Sequence, residues 1–254
     1  MNPNHTMVTS SQLPRFQPQS TTSPLISVII PAYNEAGRIG QVLQVLSQVK
    51  RLSEIIVVDD GSKDGTASAA RRAAEADARI RLIVHNENRG KGEAILSGWR
   101  TSRSACLLLL DADLIGLSPT NVEELIQPVI SGQAEMTLGL FMGGWWITDL
   151  SHWLTPWLTG QRCFRAKLLR YLPAQSAAGY GFETALSMVA RQRGWRCQPI
   201  ALKGVSHLPS EIHRGFWPGV RNRARMWRQI LHAWYLISAW QRVVTWIRLW
   251  VRQG

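Results

Sequence analysis

Four leucines at residues 107–110 run directly into Asp111-Ala112-Asp113. An unbroken apolar run closed by acids suits a strand buried on both faces of a parallel sheet. Ligands of such sheets bind outside the carboxyl ends of the strands. The two acids would then stand at the ligand edge. Period-two alternation points Asp111 and Asp113 to one side and turns Ala112 away. Paired hard oxygen ligands suit Mg²⁺ or Mn²⁺, which in turn bind phosphates. A three-residue acidic motif can equally be a solvated strand end, so the rest of the chain has to decide.

The preceding residues repeat this pattern. Residues 25–30 are a short β-branched run closed by Pro31-Ala32-Tyr33-Asn34-Glu35. Pro31 cannot donate to a ladder and is expected to end the strand. Ile39, Val42, Leu43, Leu46 and Val49 then recur at helical spacing. Residues 54–58 form a second apolar run, closed by Asp59-Asp60-Gly61-Ser62 and Asp64-Gly65-Thr66. An Ala-rich helix is expected over 66–78, a third strand over 80–85, a polar loop over 86–92 and a short helix over 94–102. The order is β-α-β-α-β-α-β, which predicts an open, mostly parallel α/β sheet with right-handed crossovers and helices on both faces. Neither G-x-G-x-x-G nor G-x-x-x-x-G-K-[ST] is present, which argues against a Rossmann dinucleotide site and a P-loop.

The second half is less regular. A helix is expected over 119–130, capped near Ser118 or Thr120, and a strand over 134–140. A glycine-bearing aromatic stretch spans 145–157. Gly160-Gln161-Arg162-Cys163-Phe164-Arg165 precedes a helix from Ala166. Gly179-Tyr180-Gly181-Phe182-Glu183 opens another, and 195–205 resembles a strand pair ending at Ser206-His207.

Net charge is +12 over 254 residues, which implies an anionic partner. Much of it lies in residues 211–254, with eight arginines, one acid and six of the twelve tryptophans. There, Ser238, Gln241, Arg242, Thr245, Arg248 and Arg252 form a polar stripe opposite a wide apolar face. An amphipathic cationic Trp-rich helix suits an anionic bilayer surface. The alternative is docking on the domain or on a second subunit, as in a homodimer. No nucleic-acid module is visible, and the apolar face suits lipid better than base stacking. The three cysteines lack metal spacing and fit a reducing cytoplasm. Residues 1–24, rich in Ser, Thr, Gln, Asn and Pro, read as a disordered tail without an apolar signal region. The main domain is expected over 25–210.

The three strand-end motifs, with Asn88-Arg89-Gly90-Lys91-Gly92 between the second and the last, resemble the nucleotide-sugar half of family 2 glycosyltransferases, which have the GT-A fold. The similarity covers roughly residues 25–115. It is strongest to dolichol- and polyprenyl-phosphate sugar synthases. The second half looks like glucosyl-phosphoglycerate-synthase-like enzymes. The resemblance implies a metal-dependent hexosyltransferase using a UDP- or GDP-sugar. Its acceptor would be lipid-linked, such as a polyprenyl phosphate, with the protein peripheral to the cytoplasmic face of the membrane. A small soluble phosphorylated acceptor and a non-catalytic nucleotide-sugar binder are the alternatives. Pro31, Ala32, Tyr33 and Glu35 would line the nucleoside pocket. Asp60 would bond the base with Val58 beside it, and Lys91 would pair with phosphate. Asp111 and Ala112 would contact ribose or sugar, and Asp113 would hold Mg²⁺ or Mn²⁺ with Asp111 or His207. Ile115 stands where relatives often carry a further Gln ligand. Glu183 would be the catalytic base, and Arg162 and Arg165 would bind an acceptor phosphate.

Overall fold

A computed structural model describes residues 25–142, 159–172 and 181–207. The 145–157 aromatic stretch, the N-terminal tail and the C-terminal cationic region lie outside these residues. Among the described residues no helix is long and apolar enough to cross a membrane.

Strands β1 (Ile26–Ala32), β2 (Leu52–Asp59), β3 (Ile80–Val84) and β4 (Cys106–Leu109) alternate with helices α1 (Ile39–Ser47), α2 (Thr66–Ala76) and α3 (Lys91–Thr101). A two-residue strand β5 (Leu114–Ile115), helix α4 (Pro119–Ile130) and strand β6 (Met136–Met142) follow. After the undescribed stretch come β7 (Arg162–Arg165), a 3₁₀ helix (Ala166–Tyr171), α5 (Gly181–Gln192), β8 (Cys197–Lys203) and β9 (Ser206–His207). Seven strands form one sheet in the order β3-β2-β1-β4-β7-β6-β8. All neighbours are parallel except at β7, which runs antiparallel to both β4 and β6.

Alternation along the strands builds two cores. Val28, Ile30, Ile55, Val57, Leu108 and Leu110 face α1, α2 and α4. Ile29, Ile56, Val58, Leu107 and Leu109 face α3 and α5. The central residues 28–30 of β1, 55–58 of β2 and 106–109 of β4 are therefore apolar at consecutive positions, as burial on both faces requires.

Two expectations need correction. Strand β1 continues through Pro31, which pairs with Val58. The carbonyl of Ile29 accepts from Leu110 N–H on the β4 side, and that of Ala32 accepts from Asp60 N–H on the β2 side. Alternation turns the missing Pro31 donor toward β4, beyond the last β4 pair at Leu109, so no ladder bond is lost there. Residues 195–205 are not a hairpin: β8 pairs with β6, and the residues after it pair with β5. The strand at 162–165 was not expected at all. It is four residues long with an arginine at each end, too short for a periodic signal.

Candidate active site

The loops after β1 and β2 are stitched together at the ligand edge. Asn34 N–H donates to Ser62 Oγ, and Lys63 N–H donates to Asn34 Oδ1, both at 2.9 Å. Glu35 N–H donates to Thr66 Oγ1 at 2.8 Å, and Ala36 N–H to Asp64 Oδ2 at 3.1 Å. Asn34 is held at φ 58°, in the left-handed region that Asn tolerates better than most residues. Asp64 thus serves the turn. Its carboxyl is desolvated, but bonds from Thr66 and the Ala36 N–H outweigh this and lower its pKa.

Asp60 is 3% exposed and surrounded by its own loop. It accepts from Arg89 N–H at 3.0 Å and Gly90 N–H at 2.8 Å, and it bonds His85 Nδ1 at 2.7 Å. His85 Nε2 in turn lies 3.0 Å from Ser97 Oγ on α3. Both oxygens of this carboxylate, expected at the base, hold the loop that leads into Lys91. This also moves the start of α3 to Lys91, three residues earlier than Gly-Lys-Gly propensity suggests. His85 had no sequence signal beyond its place at the end of β3.

Lys91 lies at the centre. Its Nζ is 2.6 Å from Asp111 Oδ1 and 2.8 Å from Glu183 Oε1. A cation in the first turn of a helix opposes the helix dipole, and these two carboxylates offset that. Burial alone would lower the lysine pKa. The Asp111 and Glu183 charges overturn this and hold it well above the ordinary lysine range. Glu183 lies in the first turn of α5 and is 3% exposed. Its Oε2 is buried without a hydrogen-bond partner among the described residues. Gln161 Nε2 donates to the second oxygen of Asp111 at 2.8 Å. A Cβ on Gly160 would stand 2.6 Å from Asp111 Oδ2 and 2.8 Å from Lys91 Nζ, so the backbone there passes as close as a glycine permits.

Tyr33 and Pro31 are half-buried, while Ala32, Val58 and Ala112 are buried. Val58 belongs to the α3 core and Ala112 to the opposite core, so neither side chain faces an open site. Glu35 is half-buried and ion-paired to Arg38 at 2.9 Å. Its pKa is raised, first by burial and then by the nearby Asp113 charge. Excess negative charge at Glu35 and Asp113 is the electrostatic setting that a divalent cation would relieve. Among the described residues no three His, Cys, Asp or Glu side chains converge as a complete ligand set. The backbone of His207 pairs with Leu114, directly after Asp113; its side chain lies outside the described residues.

The two arginines expected at an acceptor phosphate are turned to protein. Arg162 is fully buried. It donates from Nε to the Thr159 carbonyl at 3.1 Å and from Nη2 to the same oxygen. Its Nη1 donates to the Glu183 carbonyl and to Ser187 Oγ, each at 3.1 Å. Burial lowers its pKa to about 10, so it stays charged at neutral pH. Arg165 donates to the Val129 carbonyl at 3.2 Å. Arg162 thus ties the Thr159 turn to the first turns of α5.

The profile of glycosyl transferase family 2 matches residues 27–191, which contain every residue of this cluster. The chain belongs to glycosyl transferase family 2. The undecaprenyl-phosphate 4-deoxy-4-formamido-L-arabinose transferase of Pseudomonas aeruginosa PAO1 is 35% identical over 113 residues, 42% of this chain and 33% of that protein. The dolichyl-phosphate β-glucosyltransferase of Dictyostelium discoideum is 32% identical over 157 residues, 58% of this chain and 46% of that protein. The match therefore spans a third to a half of the length of these relatives. Among solved family structures, Mycobacterium tuberculosis glucosyl-3-phosphoglycerate synthase, in complex with Mn²⁺, UDP-glucose and phosphoglyceric acid, superposes with a TM-score of 0.66. It is 25% identical, with 83% of this chain and 78% of that one covered. The central sheet with its helices is thus the GT-A fold expected from the motifs.

Proposed function

We propose that this chain transfers a sugar from a UDP- or GDP-linked donor to a lipid-linked phosphate at the cytoplasmic membrane face, with Mg²⁺ or Mn²⁺ as cofactor. The observation that carries the transferase reading is the Asp111–Lys91–Glu183 cluster, standing where β4, α3 and α5 meet at the ligand edge. The lipid acceptor rests on the relatives, which act on undecaprenyl and dolichyl phosphates. The cationic Trp-rich residues 211–254 add a means of approaching an anionic surface.

In this reading Tyr33 and Pro31 flank the nucleoside, and the Asp60-anchored loop presents Lys91 to the diphosphate. Asp113 holds the metal, with Asp111 or His207 completing its protein ligands. The bound ion would neutralise charge on the departing nucleoside diphosphate. Lys91, kept protonated by its two carboxylates, adds a fixed positive charge on the same leaving group. Glu183 acts according to the acceptor. A hydroxyl acceptor needs a base, and Oε2 of Glu183, which has no hydrogen-bond partner among the described residues, would take its proton. A phosphate acceptor is already an anion and needs none, so Glu183 would then serve to hold Lys91.

A soluble phosphorylated acceptor is the second reading. The observation in its favour is the likeness to the phosphoglycerate-bound synthase, which covers more of this chain than the lipid-directed relatives do. UDP- and GDP-sugars would first be screened for thermal stabilisation with and without Mn²⁺ or Mg²⁺. The stabilising donor, labelled in its sugar, would then be offered polyprenyl phosphate in vesicles and phosphoglyceric acid in solution. Transfer only to the soluble acid removes the lipid reading. Metal-dependent transfer that survives Asp113→Ala removes the site assignment.

A further inference from the structure

We propose that Gln161 is a positioning residue for Asp111: its carboxamide fixes the rotation of that carboxylate and thereby the place of Lys91. This rests on the transferase reading for its purpose, but its geometry stands independently. Asp111 is gripped from both sides, with Lys91 Nζ on Oδ1 and Gln161 Nε2 on Oδ2. Gln161 is 1% exposed, so its donor bond is shielded from competing water. The amide is itself anchored. Its Oε1 lies 3.2 Å from the Thr159 hydroxyl, which also reaches the Gly139 carbonyl at 2.6 Å. Gln161 N–H donates back to Thr159 Oγ1 at 3.3 Å, and Gly139 N–H donates to the Gln161 carbonyl at 2.8 Å. A continuous line therefore runs from β6 through Thr159 and Gln161 to the end of β4.

Asp111 alone has a freely rotating carboxylate at a strand end. With Oδ2 tied to Gln161, Oδ1 points at Lys91 and draws its ammonium to within reach of Glu183. Arg162, the next residue, holds the backbone at Glu183. Gln161 and Arg162 thus bring the side chain of one carboxylate and the backbone of the other to the same lysine. Gln161 acts through its bond to Asp111, which makes it a positioning residue.

The test reads Lys91 directly and needs no donor. An amine engaged by two carboxylates is less open to an acylating reagent, so the rate of Lys91 acetylation at fixed pH, followed by peptide mass spectrometry, reports how firmly Asp111 and Glu183 hold it. The side chain is 28% exposed and so accessible to a small reagent. Gln161→Met, which keeps the bulk and removes the donor, is expected to raise Lys91 acetylation roughly three- to tenfold relative to Lys50 and Lys63 in the same chain. Gln161→Asn keeps the amide but shortens its reach, and is expected to do the same. Near-UV circular dichroism identifies which variants keep native packing, and either one suffices. Asp111→Asn sets the upper bound. An unchanged Lys91 rate in a folded Gln161 variant overturns the proposal, because a purely structural glutamine would alter stability and leave Lys91 alone. An unchanged rate in Asp111→Asn also overturns it, since the ion pair it depends on would be absent in solution. If Lys91 responds as expected but no nucleotide sugar is ever transferred, the positioning role stands and the functional reading fails.

Discussion

Replacing Lys91 with Met isolates the energetics of the cluster. The substitution keeps the length of the stem and deletes the only charge between Asp111 and Glu183 in this ion-pair set. The two carboxylates then differ in exposure. The Asp111 side chain is 30% exposed and can be rehydrated, whereas that of Glu183 is 4% exposed and cannot. Breaking a buried pair from one side costs about 3–5 kcal/mol. Lys91 is itself partly open to water, and Arg162 leaves some positive charge near Glu183, so the expected loss falls just below that range, at about 2–3 kcal/mol. A domain of this size loses about 2–4 °C in Tm per kcal/mol, which predicts a fall of roughly 4–12 °C. Adding Glu183→Gln removes the stranded charge and is expected to restore more than half of the loss. Thermal and urea unfolding of the two single variants and the double variant measure this as a cycle. A Lys91→Met protein as stable as the parent, or a double variant no better than Lys91→Met alone, would refute the reasoning.

Other outcomes follow from the same geometry. Gly160→Ala places a methyl within 2.8 Å of both Asp111 oxygens and of Lys91 Nζ; it is expected to cost about 1–3 kcal/mol and to abolish nucleotide-dependent thermal stabilisation. Asp60→Ala leaves two backbone donors and His85 without their acceptor, so unfolding free energy should drop by about 3 kcal/mol, and hydrogen exchange at the Arg89 and Gly90 amides should accelerate. Intact exchange protection at both amides would show that Asp60 does not hold the loop. At the far side of the sheet, Arg196 bonds hold the Glu135 carboxyl down at about 2 against the usual 4.5. A depressed acid stabilises above its unfolded pKa, and that contribution is lost as pH falls from about 4.5 toward about 2. Glu135→Gln should therefore flatten the acid limb of a Tm-against-pH curve in that window and leave its neutral plateau nearly level.

What could be read in advance divides along physical lines. Strands β1, β2 and β4 are legible because burial on both faces demands apolar runs, and each run stops at a polar motif. Their convergence at one edge followed from parallel topology alone. Strand β7 was not legible: Arg162-Cys163-Phe164-Arg165 has no period, and it becomes a strand only because β4 and β6 offer it partners on both sides. The acids of the site were visible as residue types, but not their duties. Asp60 and Arg162 look like ligand contacts, yet both are buried and bonded to protein. Lys91 was assigned to phosphate, yet its contact with Glu183 joins residues 92 positions apart, which no local pattern encodes. Gln161 was the hardest, being neutral; its signal was only its place between a glycine and a buried arginine.

The small ribbon of β5 and β9 also sets an order of assembly. The three parallel pairings β1–β2, β2–β3 and β1–β4 lie within residues 26–109, so that half of the sheet can form while the chain is still being made. Leu114 waits for His207. Closing so long a loop is entropically unfavourable and slow relative to local pairing. The rim beside Asp113 is therefore completed only after β8 has docked, and a nascent chain can form the ends of β1, β2 and β4 before that rim is closed. The same pairing fixes the backbone of His207 against Leu114, one position past Asp113.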